Sequence, residues 1–164
     1  DRILDLLDPA VVEDIELIDA FLTVMEAQKL IVENAGLLSI AALKHLGIKG
    51  RNVVSIISGG NMDVITMASM VQHGLILRGR VFTFSVLLPD RPGELEKIVH
   101  IIAGQNGNII RLEHNQFVSL NRNTAVELKV TIEAFGHDHK DSIMKALAEK
   151  GFTARLVSPT AVFD

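Results

Sequence analysis

The stretch Val81-Phe82-Thr83-Phe84-Ser85-Val86-Leu87-Leu88-Pro89-Asp90-Arg91-Pro92-Gly93-Glu94-Leu95 decides how the chain is read. Phe82, Phe84, Val86 and Leu88 fall on one face of an extended segment, and Thr83 and Ser85 fall on the other. That alternation marks a strand with one buried face. Asp90-Arg91-Pro92-Gly93 then turns the chain, and Pro92 suits the first turn of a helix, where its missing N–H is no loss. Leu95, Ile98, Val99 and Ile102 follow as a single apolar stripe. Gly104 and Gly107 close the helix.

Downstream, the same two periods recur. Residues 108–120 read as a second strand, and Asn121-Arg122-Asn123 as a hairpin turn. Residues 124–133 form a third strand, with Val126, Leu128, Val130 and Ile132 inward and Glu127, Lys129, Thr131 and Glu133 outward. Residues 137–150 carry Ile143, Met144 and Leu147 at helical spacing. Gly151 stops that helix, and 152–157 is a last strand. The order is β-α-β-β-α-β, the split βαβ or ferredoxin-like plan, which predicts an antiparallel sheet of four strands with both helices on one face. The expected class is therefore α+β, with a division into residues 1–80 and 81–164.

Upstream, Pro9 closes an opening helix and residues 11–15 suggest a short strand. Residues 17–30 and 35–46 read as helices, the second stopped by Gly47, and residues 49–52 as a polar turn. Val53-Val54-Ser55-Ile56-Ile57 is a β-branched run that suits a strand buried on both faces. Ser58-Gly59-Gly60-Asn61 leads into a helix over 62–72, stopped at His73-Gly74, and residues 75–80 are a connector.

The 164 residues include no Cys, which excludes disulfides and thiolate metal sites. A formal net charge of -4 and only 4% aromatic residues argue against a nucleic-acid binder, which needs a basic face and stacking rings. A mean hydropathy of +0.32 predicts apolar surface hidden in an oligomer. Asp1, Arg2, Asp5 and Asp8 interrupt the first apolar residues, so no signal peptide is read, and no uncharged run is long enough to span a bilayer. A cytoplasmic location is expected.

The Asp90–Glu94 corner has the chemistry of a clamp for a small zwitterion. Gly93 permits close approach of the backbone, and a helix start supplies free N–H groups and partial positive charge. Asp90 offers a carboxylate to an ammonium group. The same residues also make a plain turn. The whole of 81–157 resembles an ACT domain, whose signature Asp-Arg-Pro-Gly-x-Leu is met at Asp90–Leu95 and whose Gly-x-Asn-Ile element reads Gly107-Asn108-Ile109 here. ACT domains pair side by side and take an amino acid between copies. The resemblance implies that Asp90, Arg91, Pro92, Gly93 and Glu94 line one side of an effector site and Asn108, Ile109 and Ile110 the other. It also implies a homo-oligomer formed through these domains.

Leu30-Ile31-Val32-Glu33-Asn34-Ala35-Gly36, followed by Val53–Asn61, resembles the closing part of fold-type-II pyridoxal-phosphate enzymes, the threonine dehydratases above all. The family's text is Val-Glu-Gly-Ala-Gly and then Ser-Gly-Gly-Asn-(Ile/Val)-Asp. This chain departs from it with Asn34 and with Met62 before Asp63. The resemblance implies that residues 1–80 correspond to the end of a catalytic domain followed by a single regulatory domain. Ser58 would then bond the cofactor's pyridine nitrogen, Gly59, Gly60 and Asn61 would form the turn beside it, and Glu33 would lie near the same pocket. The family's imine lysine sits in Ser-(Phe/Tyr)-Lys-x-Arg-Gly, and none of the eight lysines here does. The family's glycine-rich phosphate loop is absent as well. The chain by itself is therefore expected to bind no pyridoxal phosphate and to deaminate no threonine.

The resemblance implies the amino-acid-sensing portion of an L-threonine ammonia-lyase, which converts threonine to 2-oxobutanoate and ammonia, with isoleucine or valine as expected effector. Two alternatives stand beside it: an independent amino-acid-binding or oligomerisation protein, and part of a related serine-acting dehydratase. His137-Asp138-His139 is read as a polar helix start and not as a metal site. His114 lies within the second strand, buried or facing a partner.

Overall fold

The computed structural model describes residues 12–47, 50, 52–115 and 125–157. The chain divides into two compact units, Asp1–Gly74 and Leu75–Asp164. The opening helix over the first nine residues and the hairpin turn at 121–123 lie outside the described residues, as do 116–120 of the second strand and residues 49 and 51 of the turn at 49–52.

In the first unit, α1 (Asp14–Gln28) and α2 (Asn34–Ala41), prolonged by a 3-10 turn (Ala42–Lys44), pack with α3 (Val64–Leu77). Phe21, Val24, Val32, Leu37 and Met70 form the small core. A capping box starts α1: the Glu13 side chain accepts from the backbone of Glu16, and the Glu16 side chain accepts from the Glu13 N–H. That box, more than apolar pattern, places the helix start at Asp14, so the strand expected over 11–15 is not formed.

The strand expected at Val53–Ile57 is also not formed. The segment is extended but unpaired, and Val54 and Ile56 are 89% and 80% exposed. A β-branched run favours extended backbone, yet a strand exists only where a neighbour completes its ladder. The described residues of this unit supply none. The segment is instead held to α2 by side chains: the Ser39 hydroxyl donates to the Ile56 carbonyl at 2.9 Å, and the Ser55 hydroxyl to the Ser39 carbonyl at 3.3 Å. Nor does His73-Gly74 stop α3. Gly74 is buried against Leu22, where any Cβ would collide, so it serves close helix packing and the helix runs on to Leu77.

The second unit has the α+β class and βαββαβ order expected of an ACT domain. Its elements are β1 (Val81–Leu88), α4 (Glu94–Gly104), β2 (Asn108–Asn115), β3 (Val126–Glu133), α5 (His137–Glu149) and β4 (Ala154–Leu156). The antiparallel sheet has the order β2-β3-β1-β4. Phe84, Val86, Leu128, Val130 and Ile132 form one face, and Ile98 and Ile102 of α4 and Ile143 and Leu147 of α5 pack against it. Both helices therefore cover the same face. On the other face, Thr83 and Thr131 are buried and their hydroxyls hydrogen-bond at 2.8 Å, so this face is not polar and exposed throughout. Register fixes the two ends of the sheet: Leu88 faces Val126 at one end, and Val81, Glu133 and Asn108 align at the other.

Candidate functional site

The corner between β1 and α4 is built as a short, uncapped helix start. Arg91 N–H donates to the Pro89 carbonyl at 2.9 Å, which tightens the turn. Gly93 is the N-cap residue at φ 89°, a left-handed conformation open to glycine at no steric cost. Pro92 thus precedes the cap instead of sitting in the first turn. No side chain caps α4, which leaves the N–H groups of its first turn to other partners. Asp90 and Arg91 are exposed and form no ion pair among the described residues, whereas Glu94 is held by Lys97 at 2.8 Å.

A cavity of about 300 Å³ opens on this corner. Asp90, Arg91, Pro92, Gly93, Glu94 and Leu95 line it, and Val126 and His114 complete the wall. Sequence reading left both Val126 and His114 out of the site. The place of His114 depends on the pairing of β2 with β3, which sets it opposite Leu128, two residues from Val126. A bulge between Ile109 and Arg111 shifts that register by one residue, so no count along the strand alone predicts it.

Asn108, Ile109 and Ile110 lie at the far end of the sheet from the corner. Some seven residues of strand separate them, about 23 Å at ~3.3 Å per residue. Within one chain the two halves of the expected site do not meet. Asn108 donates to the Glu133 carboxylate at 3.0 Å, Ile109 packs on the core, and Ile110 stands 51% exposed at the bulge. Among the described residues β2 is a largely exposed edge strand with one side unpaired.

In the first unit the structure does gather the residues expected around a cofactor ring. Glu33 N–H donates to the Gly59 carbonyl at 3.2 Å. Gly59 has φ 79°, and a Cβ there would strike the Glu33 carboxylate. A Cβ at Gly36 would strike the Ser58 carbonyl, so α2 lies directly on the turn. Ser58 and Asn61 side chains are exposed and make no hydrogen bond among the described residues. A free hydroxyl beside a glycine turn fits the ring-nitrogen edge of pyridoxal phosphate. Among the described residues of this unit, none is gathered here to fit its aldehyde or its phosphate.

The carboxyl groups of Asp63 and Glu16 are displaced. Asp63, at the start of α3, is held below its ordinary value of 3.8, first by the hydrogen bond from the Thr66 hydroxyl and then by the Thr66 N–H. Glu16 is lowered by its bond from the Glu13 backbone and then by His45 at 2.9 Å. Both are helix-start groups and neither lies at the corner. His137 and His139 spend ring nitrogens on the carbonyls of Leu77 and Gln105, and His139 Nδ1 also accepts the Phe135 N–H. Among the described residues no three His, Asp or Glu side chains are placed to hold a metal ion.

No protein-family model matches the chain. Named proteins do. An L-threonine ammonia-lyase of Thermotoga maritima is 31% identical over 147 residues, covering 89% of this chain and 37% of its own length. One of Geobacter sulfurreducens is 32% identical over 151 residues, covering 90% and 38%. Along most of its length, this chain is a relative of the L-threonine ammonia-lyases. A biosynthetic L-threonine dehydratase of Corynebacterium glutamicum agrees, at 34% identity over 84% of this chain and 31% of its own. The chain thus spans little more than a third of the ammonia-lyases it matches. Among solved structures, the regulatory subunit of an aspartate kinase from Thermus thermophilus superposes with a TM-score of 0.38 at 16% identity, over 49% of this chain and 51% of that one. A prephenate dehydratase from Streptococcus mutans gives 0.38 at 16%, over 46% and 40%. At these scores the structural likeness carries no functional content.

Proposed function

We propose that the chain is the amino-acid-sensing portion of an L-threonine ammonia-lyase and that its second unit binds isoleucine or valine at the β1–α4 corner. The observation that carries this reading is the corner cavity: an uncapped helix start and an unpaired Asp90 carboxylate share one opening of about 300 Å³. The helix N–H groups would take the effector's carboxylate and Asp90 its ammonium, while Leu95 and Val126 would meet an aliphatic side chain. His114 gives the wall a further hydrogen-bonding ring.

The separation of Asn108–Ile110 from the corner supports a site shared between copies. Two exposed β2 edges paired antiparallel about a twofold would carry the start of one β2 toward the end of the other, and so toward the other copy's corner. An effector there would act through its differential affinity for two arrangements of the oligomer.

In the parent enzyme Ser58, with Gly59, Gly60, Asn61 and Glu33, would hold the ring-nitrogen edge of pyridoxal phosphate. When bound, that cofactor supplies the electron sink for elimination from threonine. A neutral hydroxyl on the ring nitrogen keeps it largely unprotonated. The chain alone is expected to be inactive on threonine and cytoplasmic. Calorimetric titration with isoleucine and with valine, on the wild type and on Asp90→Ala, tests the proposal. Saturable binding weakened about tenfold or more by the substitution is expected, the loss of one charge-assisted bond. Equal binding by both proteins, or none by either, contradicts it.

A further inference from the structure

A larger cavity, about 670 Å³, lies around the β1–β4 edge of the same unit. It shares Leu88, Pro89 and Glu94 with the corner and is otherwise lined by different residues. Ser85, Leu87, Glu127, Phe152, Thr153 and Arg155 give it its chemistry. Register places Ser85, Leu87, Glu127 and Arg155 on the outer face of the sheet. Arg155 lies opposite Ser85, and Ser85 opposite Lys129, so one row is cationic. Glu127 lies opposite Leu87 in a neighbouring row, which is anionic. Arg155 and Glu127 are two strands and two residues apart, about 12 Å between backbones. Both residues line the cavity, and neither forms an ion pair among the described residues. Glu127 is moreover half-buried. An unpaired cation and an unpaired, half-buried carboxylate in one opening favour a ligand that carries both charges a few ångströms apart.

We infer that this cavity is a second small-molecule site, for a zwitterionic α-amino acid, in which Arg155 takes the carboxylate, Glu127 takes the ammonium, and Leu87 and Phe152 receive an apolar side chain. Ser85 and Thr153 supply hydroxyls beside the charged ends. The site stands independently of the corner: it uses neither Asp90 nor the start of α4's free N–H groups, and it needs one copy of the chain.

The test is a titration of the whole ¹⁵N-labelled chain with L-isoleucine, L-valine and L-threonine, read at the amides of Ser85, Leu87 and Thr153 and, separately, at Gly93, Leu95 and His114. The first set is expected to shift saturably in the wild type and in Asp90→Ala. Arg155→Ala is expected to weaken that response about tenfold or more, with Arg155→Lys restoring part of it. Arg155 is exposed, so an otherwise unchanged amide spectrum checks that the variant folds. Absence of shifts in the first set with all three amino acids overturns the inference, as does an unchanged response in Arg155→Ala. Shifts confined to the second set remove this site and leave the corner standing. Shifts confined to the first set do the reverse.

Discussion

At the scale of single residues, the chemistry turns on a few side chains whose surroundings are defined. Asp63 is exposed, so its effect is one of helix starting. Its carboxyl sits below 3.8 because Thr66 bonds the charged form. A depressed carboxyl contributes stability that is intact above its unfolded value and is lost as pH falls through the folded one. Helical signal from the first unit should therefore fall below about pH 4 in circular dichroism, and Asp63→Asn should flatten that part of the profile. The Thr83–Thr131 pair gives a second check. Thr83→Val leaves the Thr131 hydroxyl buried without its partner and should cost about 1–3 kcal/mol in chemical denaturation. The double change to Val at both positions should cost much less than twice that. Gly59→Ala should destabilise the first unit by about 1–3 kcal/mol, since a left-handed φ and the Glu33 carboxylate both oppose a Cβ.

At the scale of elements, legibility followed the source of each element's stability. β1 was readable because Phe82, Phe84, Val86 and Leu88 bury one face and the sequence shows that alternation directly. The helices at 94–104 and 137–149 were readable from their stripes for the same reason. Val53–Ile57 misled because propensity belongs to a segment and a strand belongs to a pair. Gly74 misled because a glycine inside a helix ends it or admits a neighbour, and only the presence of Leu22 decides which. Of the corner, Asp90–Glu94 were legible as a contiguous motif. His114 and Val126 were not, since strand pairing across a bulge brings them there. Leu128→Ala on β3, fully buried beneath both helices, should cost about 2–5 kcal/mol in the unfolding of the second unit.

At the scale of the whole molecule, both units carry faces that call for covering. Val54, Ile56, Val64 and Ile65 are each at least 74% exposed in the first, and β2 presents an unpaired edge in the second. Such surfaces drive association. Light scattering at micromolar concentration should find an oligomer, and a stable monomer would remove the shared site. The sharing itself has a direct measurement. Asp90→Ala disables the corner, and Ile110→Glu disables the opposite wall; neither protein alone should bind isoleucine or valine at the corner, read at the amides of Gly93, Leu95 and His114. Mixed in equal amounts and allowed to exchange, they should form pairs in which an intact corner meets an intact wall, and binding should return at roughly a quarter of the sites. If the mixture binds no better than its two components, the amino acid is not held between copies of this chain.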